Sequence, residues 1–146
     1  MEDIKRILVV SRMTTYCRKA IHYGISLARK YGAELSVIHV LYNPFGQMNL
    51  PMMSLEEEYK KDRERIKDEL DGIINDDRRK GMEIKELIKE GEPAAQIMEV
   101  IEEENIDLVV LHAHKDSFWD HFLYGYRSDE MIRKIPCSVL LVKDSE

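Results

Sequence analysis

The sequence predicts a three-layer α/β domain: a parallel sheet with helices on both faces. Short apolar, β-branched runs alternate with segments of helical periodicity along the whole chain. Two of the runs, Ile7-Leu8-Val9-Val10 and Ile106 to Leu111, are apolar at consecutive positions, as strands buried on both faces are. Gly and Pro fall between the runs rather than inside them.

The first strand is expected over Ile4 to Val10. Thr14 or Thr15 can cap the helix that follows. Ala20, Ile21, Gly24, Leu27, Ala28 and Tyr31 give that helix one apolar face, and Gly32 stops it. A second strand runs from Glu34 to Leu41, with His39 as a satisfied core or strand-end histidine. Tyr42 to Met53 breaks the pattern with Pro44, Gly46 and Pro51, yet it carries Phe45, Met48, Leu50, Met52 and Met53. A loop that apolar must cover something.

Ser54 with Glu57 reads as a capping box that opens a long charged helix ending near Lys80, before Gly81. Leu55, Tyr59, Ile66, Leu70, Ile73 and Ile74 are its apolar positions, and Lys60 to Arg65 is a solvated face. The third strand, Glu83 to Ile88, is more polar and so belongs nearer a sheet edge. Gly91-Glu92-Pro93 starts a helix with proline in its first turn, and Ile97, Val100 and Ile101 form its inner face. Ile106 to Leu111 is the next strand, and His112 to Gly125 a long crossover rich in aromatics: Phe118, Trp119, Phe122, Leu123 and Tyr124, with Tyr126 just beyond. A short helix from Ser128 to Lys134 stops at Pro136, and Ser138 to Lys143 is the last strand.

Composition limits the function classes. The 146 residues suit one domain, 1–146. At that size roughly 68–70% of the unfolded surface is buried, so neither metal nor disulfide is needed to fold. The net charge of −6 argues against duplex nucleic-acid binding. No apolar run approaches the ~20 residues of a membrane span. Glu2 and Asp3 precede the first apolar run and no small-residue cleavage site follows it, so no secretory signal is expected. Cys17 and Cys137 match no zinc or redox spacing. Together these predict a cytoplasmic protein with two reduced thiols. Cys17 lies near the start of the first helix, where the dipole lowers a thiol's pKa, but it reads as a small packing residue, and Cys137 as structural.

In sheets of this kind ligands bind outside the carboxyl ends of the strands, where strand order reverses. Ser11 to Thr15 and His112 to Gly125 are the loops in question. His112, His114 and His121, with Asp116 and Asp120, raise the idea of a metal, but the third histidine sits on an irregular segment and no metal is expected. No nucleophile, base and orienting group stand at recognisable spacing, so no catalysis is expected. The aromatic crossover and the methionine loop should meet above the central strands, with Trp119 or Phe118 against Phe45, Met48 or Met52.

Several stretches resemble the universal stress protein family: Arg6 to Val10, Leu27 to Val40, Gly91-Glu92-Pro93-Ala94, Asp107 to Val110 and Pro136 to Val142, in that order and spacing. The resemblance covers the chain except Tyr42 to about Lys80. It implies a five-stranded parallel sheet in the order 3-2-1-4-5, of the adenine nucleotide alpha hydrolase-like type. It also implies a homodimer paired through the last strand, at Val139, Leu140, Leu141 and Val142. An apolar strand on an open edge supports the pairing independently.

ATP-binding members carry Gly-x-x-Gly, nine residues, then Gly-Ser or Gly-Thr, a loop whose backbone N–H groups approach phosphates. The matching positions here are His112, Lys115, Gly125 and Tyr126, and the family's usual aspartate after the first strand falls at Arg12. With Val40 and Arg127 these are the ligand-binding positions the resemblance implies. One reading is loss of nucleotide binding, with no cofactor and with side chains filling the pocket. Another is a changed anion held by Arg12, Lys115 and Arg127. Ordinary ATP binding is the third. The function expected is a non-catalytic, dimeric stress-response protein acting through protein contacts, with Phe45 to Met53 and Phe118 to Tyr126 as partner surface, or through a regulatory ligand. The alternatives are a nucleotide- or anion-binding switch and, from a different class, a hydrolase using Lys115 and Arg12.

Overall fold

The computed structural model describes residues 3–11, 17–41, 53–113 and 132–143. The elements are β1 (Arg6–Ser11), α1 (Cys17–Tyr31), β2 (Glu34–Leu41), α2 (Met53–Arg79), β3 (Ile84–Glu90), α3 (Pro93–Glu103), β4 (Leu108–Ala113) and β5 (Ser138–Lys143). The strands form one five-stranded sheet in the order β3-β2-β1-β4-β5, every pair parallel. This is the three-layer order the resemblance implied, and the polar third strand is at an edge.

Alternation along the strands divides the core into two layers. Ile7 and Val9 of β1, Leu35 and Val37 of β2 and Val110 of β4 face α1 and α2, which contribute Ala20, Ile21, Ile25, Ala28, Ile66, Leu70 and Ile74. Leu8, Val10, Ile38, Val109 and Leu111 face the other way, against Ile97, Val100 and Ile101 of α3 and Ile135. Gly24 permits the close seating of α1, because a Cβ there would run into the Val9 side chain.

One helix-ending device recurs. Gly32, at φ 65°, follows α1, and the Ala33 N–H bonds back to the Ala28 carbonyl at 2.9 Å. Gly81, at φ 94°, follows α2, with Met82 N–H to the Asp77 carbonyl at 3.1 Å. Asn105, at φ 51°, does the same after α3, and Ile106 N–H reaches the Ile101 carbonyl at 3.1 Å. At the other end of α3, Glu92 caps the helix, its carboxylate accepting from Ala95 N–H at 3.2 Å, and Pro93 follows in the first turn.

Four expectations need correction. Ile106 belongs to the closure of α3, so β4 starts at Leu108 and runs on through His112 to Ala113. His112 is therefore a strand residue and not the start of the crossover. β3 begins one residue later than expected and continues to Glu90, because its ladder with β2 extends through Val40↔Lys89 and Leu41↔Glu90. Its polar composition hid that extension. Helix α2 begins at Met53, which places Ser54 inside the first turn instead of at the cap. Tyr31, the last residue of α1, is 55% exposed, while Ile25, one turn beyond Ile21, fills the core position. Thr14, Thr15, the loop 42–52 and the crossover from residue 114 on lie outside the described residues, as does the expected meeting of Trp119 or Phe118 with Phe45, Met48 or Met52.

Candidate functional site

The order reverses at β1. Its crossovers lead to β2 and β3 on one side, while β4 and β5 lie on the other. The carboxyl ends of β1 and β4 therefore flank the crevice in which such sheets bind ligands. A row of buried polar residues crosses the sheet there. His39 of β2 is the register partner of Ser11 of β1. His112 of β4 stands two residues beyond Val110, the partner of Val9. All three side chains alternate onto the face that α1 covers, and each is at most 8% exposed. The His39 Nδ1 lies 3.1 Å from the Ser11 carbonyl oxygen, which fixes Nδ1 as the protonated, donating nitrogen. Lys19, in the first turn of α1, donates to the Lys143 carbonyl at the carboxyl end of β5. That contact places the positive end of the α1 dipole at the same edge of the sheet.

This row is what sequence reasoning underused. His39 was expected to be a satisfied strand histidine, as it is, but nothing in the linear pattern aligned it with Ser11 and His112. Of the site positions implied by the family motif, Val40 and His112 lie within the described residues. Val40 is half-buried against the core layer of α3, and His112 turns to the α1 layer, so they face opposite sides of the sheet. Arg12, Lys115, Gly125, Tyr126 and Arg127 lie outside the described residues. At the sheet edge Leu141 is exposed, Val139 and Leu140 are half-buried, and Val142 is sealed into its own chain's core. Val142 thus offers the edge only its backbone.

The universal stress protein family model matches residues 3–143. The chain belongs to the universal stress protein family. It is 26% identical over 146 residues to a universal stress protein of Methanothermobacter thermautotrophicus, covering 98% of this chain and 99% of that one. Its fold is that of the universal stress protein UspA from Lactobacillus plantarum, with a TM-score of 0.79 at 19% identity and coverage of 97% and 99%. A family protein from Arabidopsis thaliana with AMP bound gives a TM-score of 0.66 at 14% identity, covering 97% and 92%.

Within this family member a charged cluster joins α2 to β3. Arg78 Nη1 lies 2.8 Å from Glu86 Oε1 and 3.4 Å from Asp71 Oδ1. Lys67 Nζ lies 3.3 Å from Asp71 and 3.8 Å from Glu86. Neither Glu86 oxygen has a hydrogen-bonding donor in good geometry, although both are buried. Burial first, and then the neighbouring Asp71 carboxyl, raise the Glu86 pKa above its ordinary 4.5. The adjoining Glu86 carboxyl lowers that of Asp71 below 3.8, with Lys67 and Arg78 adding to the effect. The two contributions of the pair to stability run in opposite directions with pH. The Glu86 contribution is fully present below 4.5 and is lost as pH rises through its raised folded value. The Asp71 contribution is present above 3.8 and is lost as pH falls through its lowered one. A Glu86→Gln variant should therefore lose the decline in stability that wild type shows above about pH 4.5. Urea midpoints measured from pH 4 to 7 will show this, and parallel profiles for the two proteins would contradict it.

Burial raises the Cys137 pKa, and the nearby Asp107 charge adds to that. A thiol so placed is a poor nucleophile, in keeping with a structural role. The Asp107 carboxylate itself accepts from the N–H groups of Lys5 and Arg6, each at 2.9 Å, and so ties the start of β1 to β4. Among the described residues no three His, Cys, Asp or Glu side chains form a metal-binding group, and no helix is long and apolar enough to cross a membrane. His114, Asp116, Asp120 and His121 lie outside the described residues.

Proposed function

We propose that this universal stress protein is a dimeric, non-catalytic regulator that binds ATP weakly or not at all and acts through protein contacts or another ligand at the carboxyl end of the sheet. The observation that carries this reading is His112. The resemblance puts a glycine there in ATP-binding members, where bare backbone approaches phosphate. In this chain the position holds an imidazole, 3% exposed and buried in β4 beneath α1. The side chain occupies space that a glycine leaves open. The open edge of β5, with Leu141 exposed, supports the dimer.

Titration calorimetry with Mg-ATP near neutral pH should give no saturable heat below millimolar concentration, which corresponds to binding weaker than about −4 kcal/mol. A micromolar dissociation constant would overturn the reading. The second reading, a nucleotide- or anion-binding switch, draws its support from the AMP held by the plant protein of the same fold. The same titration with AMP and with inorganic phosphate tests it.

A further inference from the structure

We infer that α2 closes the β3 edge of the sheet to a second copy of this chain, and that Arg63 and Arg78 are the residues that close it. This concerns the edge opposite β5 and holds whether or not β5 pairs, so it stands apart from the function proposed above.

β3 is the other end strand of the sheet, so one side of its backbone has no strand beside it. One bond shows which groups face that side. The Gly91 N–H donates to the Leu41 carbonyl of β2 at 3.1 Å. Successive residues of a strand point their backbone groups to opposite sides, so the odd-numbered residues here turn theirs toward β2. Ile84, Glu86, Ile88 and Glu90 therefore turn their N–H and carbonyl groups outward. Such a row is a template for another strand.

Two of those carbonyls are already held, both by α2. Arg78 donates through Nη2 to the Ile84 carbonyl at 2.5 Å, and its Nη1 lies 2.8 Å from Glu86 Oε1. Arg63 donates through Nη2 to the Ile88 carbonyl at 3.5 Å and through Nη1 to Glu90 Oε1 at 2.8 Å. The pattern is the same each time: one guanidinium holds the carbonyl of a residue and the carboxylate two residues on. The planar fork of arginine suits such a double contact. Arg63, Lys67, Asp71 and Arg78 lie on one stripe of α2, beside the buried stripe of Ile66, Leu70 and Ile74. The buried stripe sits on the face of the sheet with Ile84 and Ile88, and the charged stripe is what reaches the edge.

Glu86 supports the same conclusion. Its side chain is 8% exposed and turns from the edge strand into the α2 layer. Burying a carboxylate there costs stability, and neither of its oxygens gains a donor in good geometry. A charge turned inward on an edge strand works against strand addition, because a further strand would bury it more deeply still.

The far edge is built differently. Lys19 reaches the carbonyl of Lys143, the last residue of β5, and Leu141 stands exposed in the strand. β5 reads Ser-Val-Leu-Leu-Val-Lys, whereas β3 reads Ile-Lys-Glu-Leu-Ile-Lys-Glu. The sheet thus has a guarded edge and an open one. With both edges open, two-fold pairing at each would string copies into a chain that never closes. The arginines of α2 confine edge-to-edge contact between copies to one side of the sheet.

Sedimentation velocity on the full chain tests this, using wild type, the double variant Arg63→Ala with Arg78→Ala, and the double variant carrying Glu90→Pro as well. The double variant should self-associate about tenfold or more tightly than wild type and form species heavier than any that wild type forms. Glu90→Pro removes an outward N–H and no bond to β2, so it should return the double variant to the wild-type mass. A double variant that folds and sediments as wild type does overturns the inference. So does association that Glu90→Pro leaves unchanged, since that would arise from a surface other than β3. The reference is wild type at whatever mass it has, so failure of the β5 pairing leaves the result readable. Should the double variant fail to fold because Glu86 loses its partner, Arg63→Ala alone decides. The Arg63 and Glu90 side chains are 47% and 50% exposed, so that replacement leaves the core intact. A folded Arg63→Ala protein that associates no more tightly than wild type then overturns the inference.

Discussion

A Leu70→Ala variant is expected to unfold with about 2–5 kcal/mol less stability than wild type. The reason is how little of α2 is buried. The helix runs from Met53 to Arg79, and among the described residues its buried apolar side chains are Ile66, Leu70 and Ile74, each about one turn from the next. Arg63 pairs with Glu90 at 2.8 Å, at the carboxyl end of β3, so the turns before Arg63 extend past the sheet. Leu70 is the middle of the three contacts and is 0% exposed. Its loss leaves a cavity between α2 and the sheet. The surface ion pairs on α2 contribute little by comparison, at most about 1 kcal/mol each. Urea unfolding followed by circular dichroism measures the change. A loss under 1 kcal/mol would mean that Leu70 does not hold α2 to the sheet.

A Leu141→Asp variant is expected to weaken self-association by about 30-fold or more, the scale of an interface hot spot near 2 kcal/mol. In antiparallel pairing about a two-fold axis, the last strand of each copy meets its own image, so the two new carboxylates fall close together. Leu141 is the informative position. It is 41% exposed in the single chain, so the variant should fold, and a monomer can be read as a lost contact. Val139 and Leu140 are half-buried on opposite core layers, and a charge at either would threaten the fold itself. Analytical ultracentrifugation gives the association state, and a folded Leu141→Asp protein that dimerises as wild type does would rule out pairing through β5.

The order of elements follows from local chemistry along the chain. Short, β-branched apolar runs such as Ile7 to Val10 read as strands buried on both faces. Gly32 and Gly81 mark helix ends because the left-handed backbone there suits glycine. Pro93 opens α3 because its missing N–H is not needed in a first turn. The order of the strands and the family were legible once those pieces were read together. Other features depend on neighbours distant in sequence. Ile106 looks like a strand residue, but the closure of α3 through Asn105 takes it first. Glu90 looks like a turn residue, but pairing with Leu41 draws it into β3. His39, Ser11 and His112 are separated widely in the chain, and parallel pairing alone aligns them into one polar row beneath α1. Periodicity tells which residues share a face of a helix, but what that face meets is set by contacts between elements that the chain brings together only on folding.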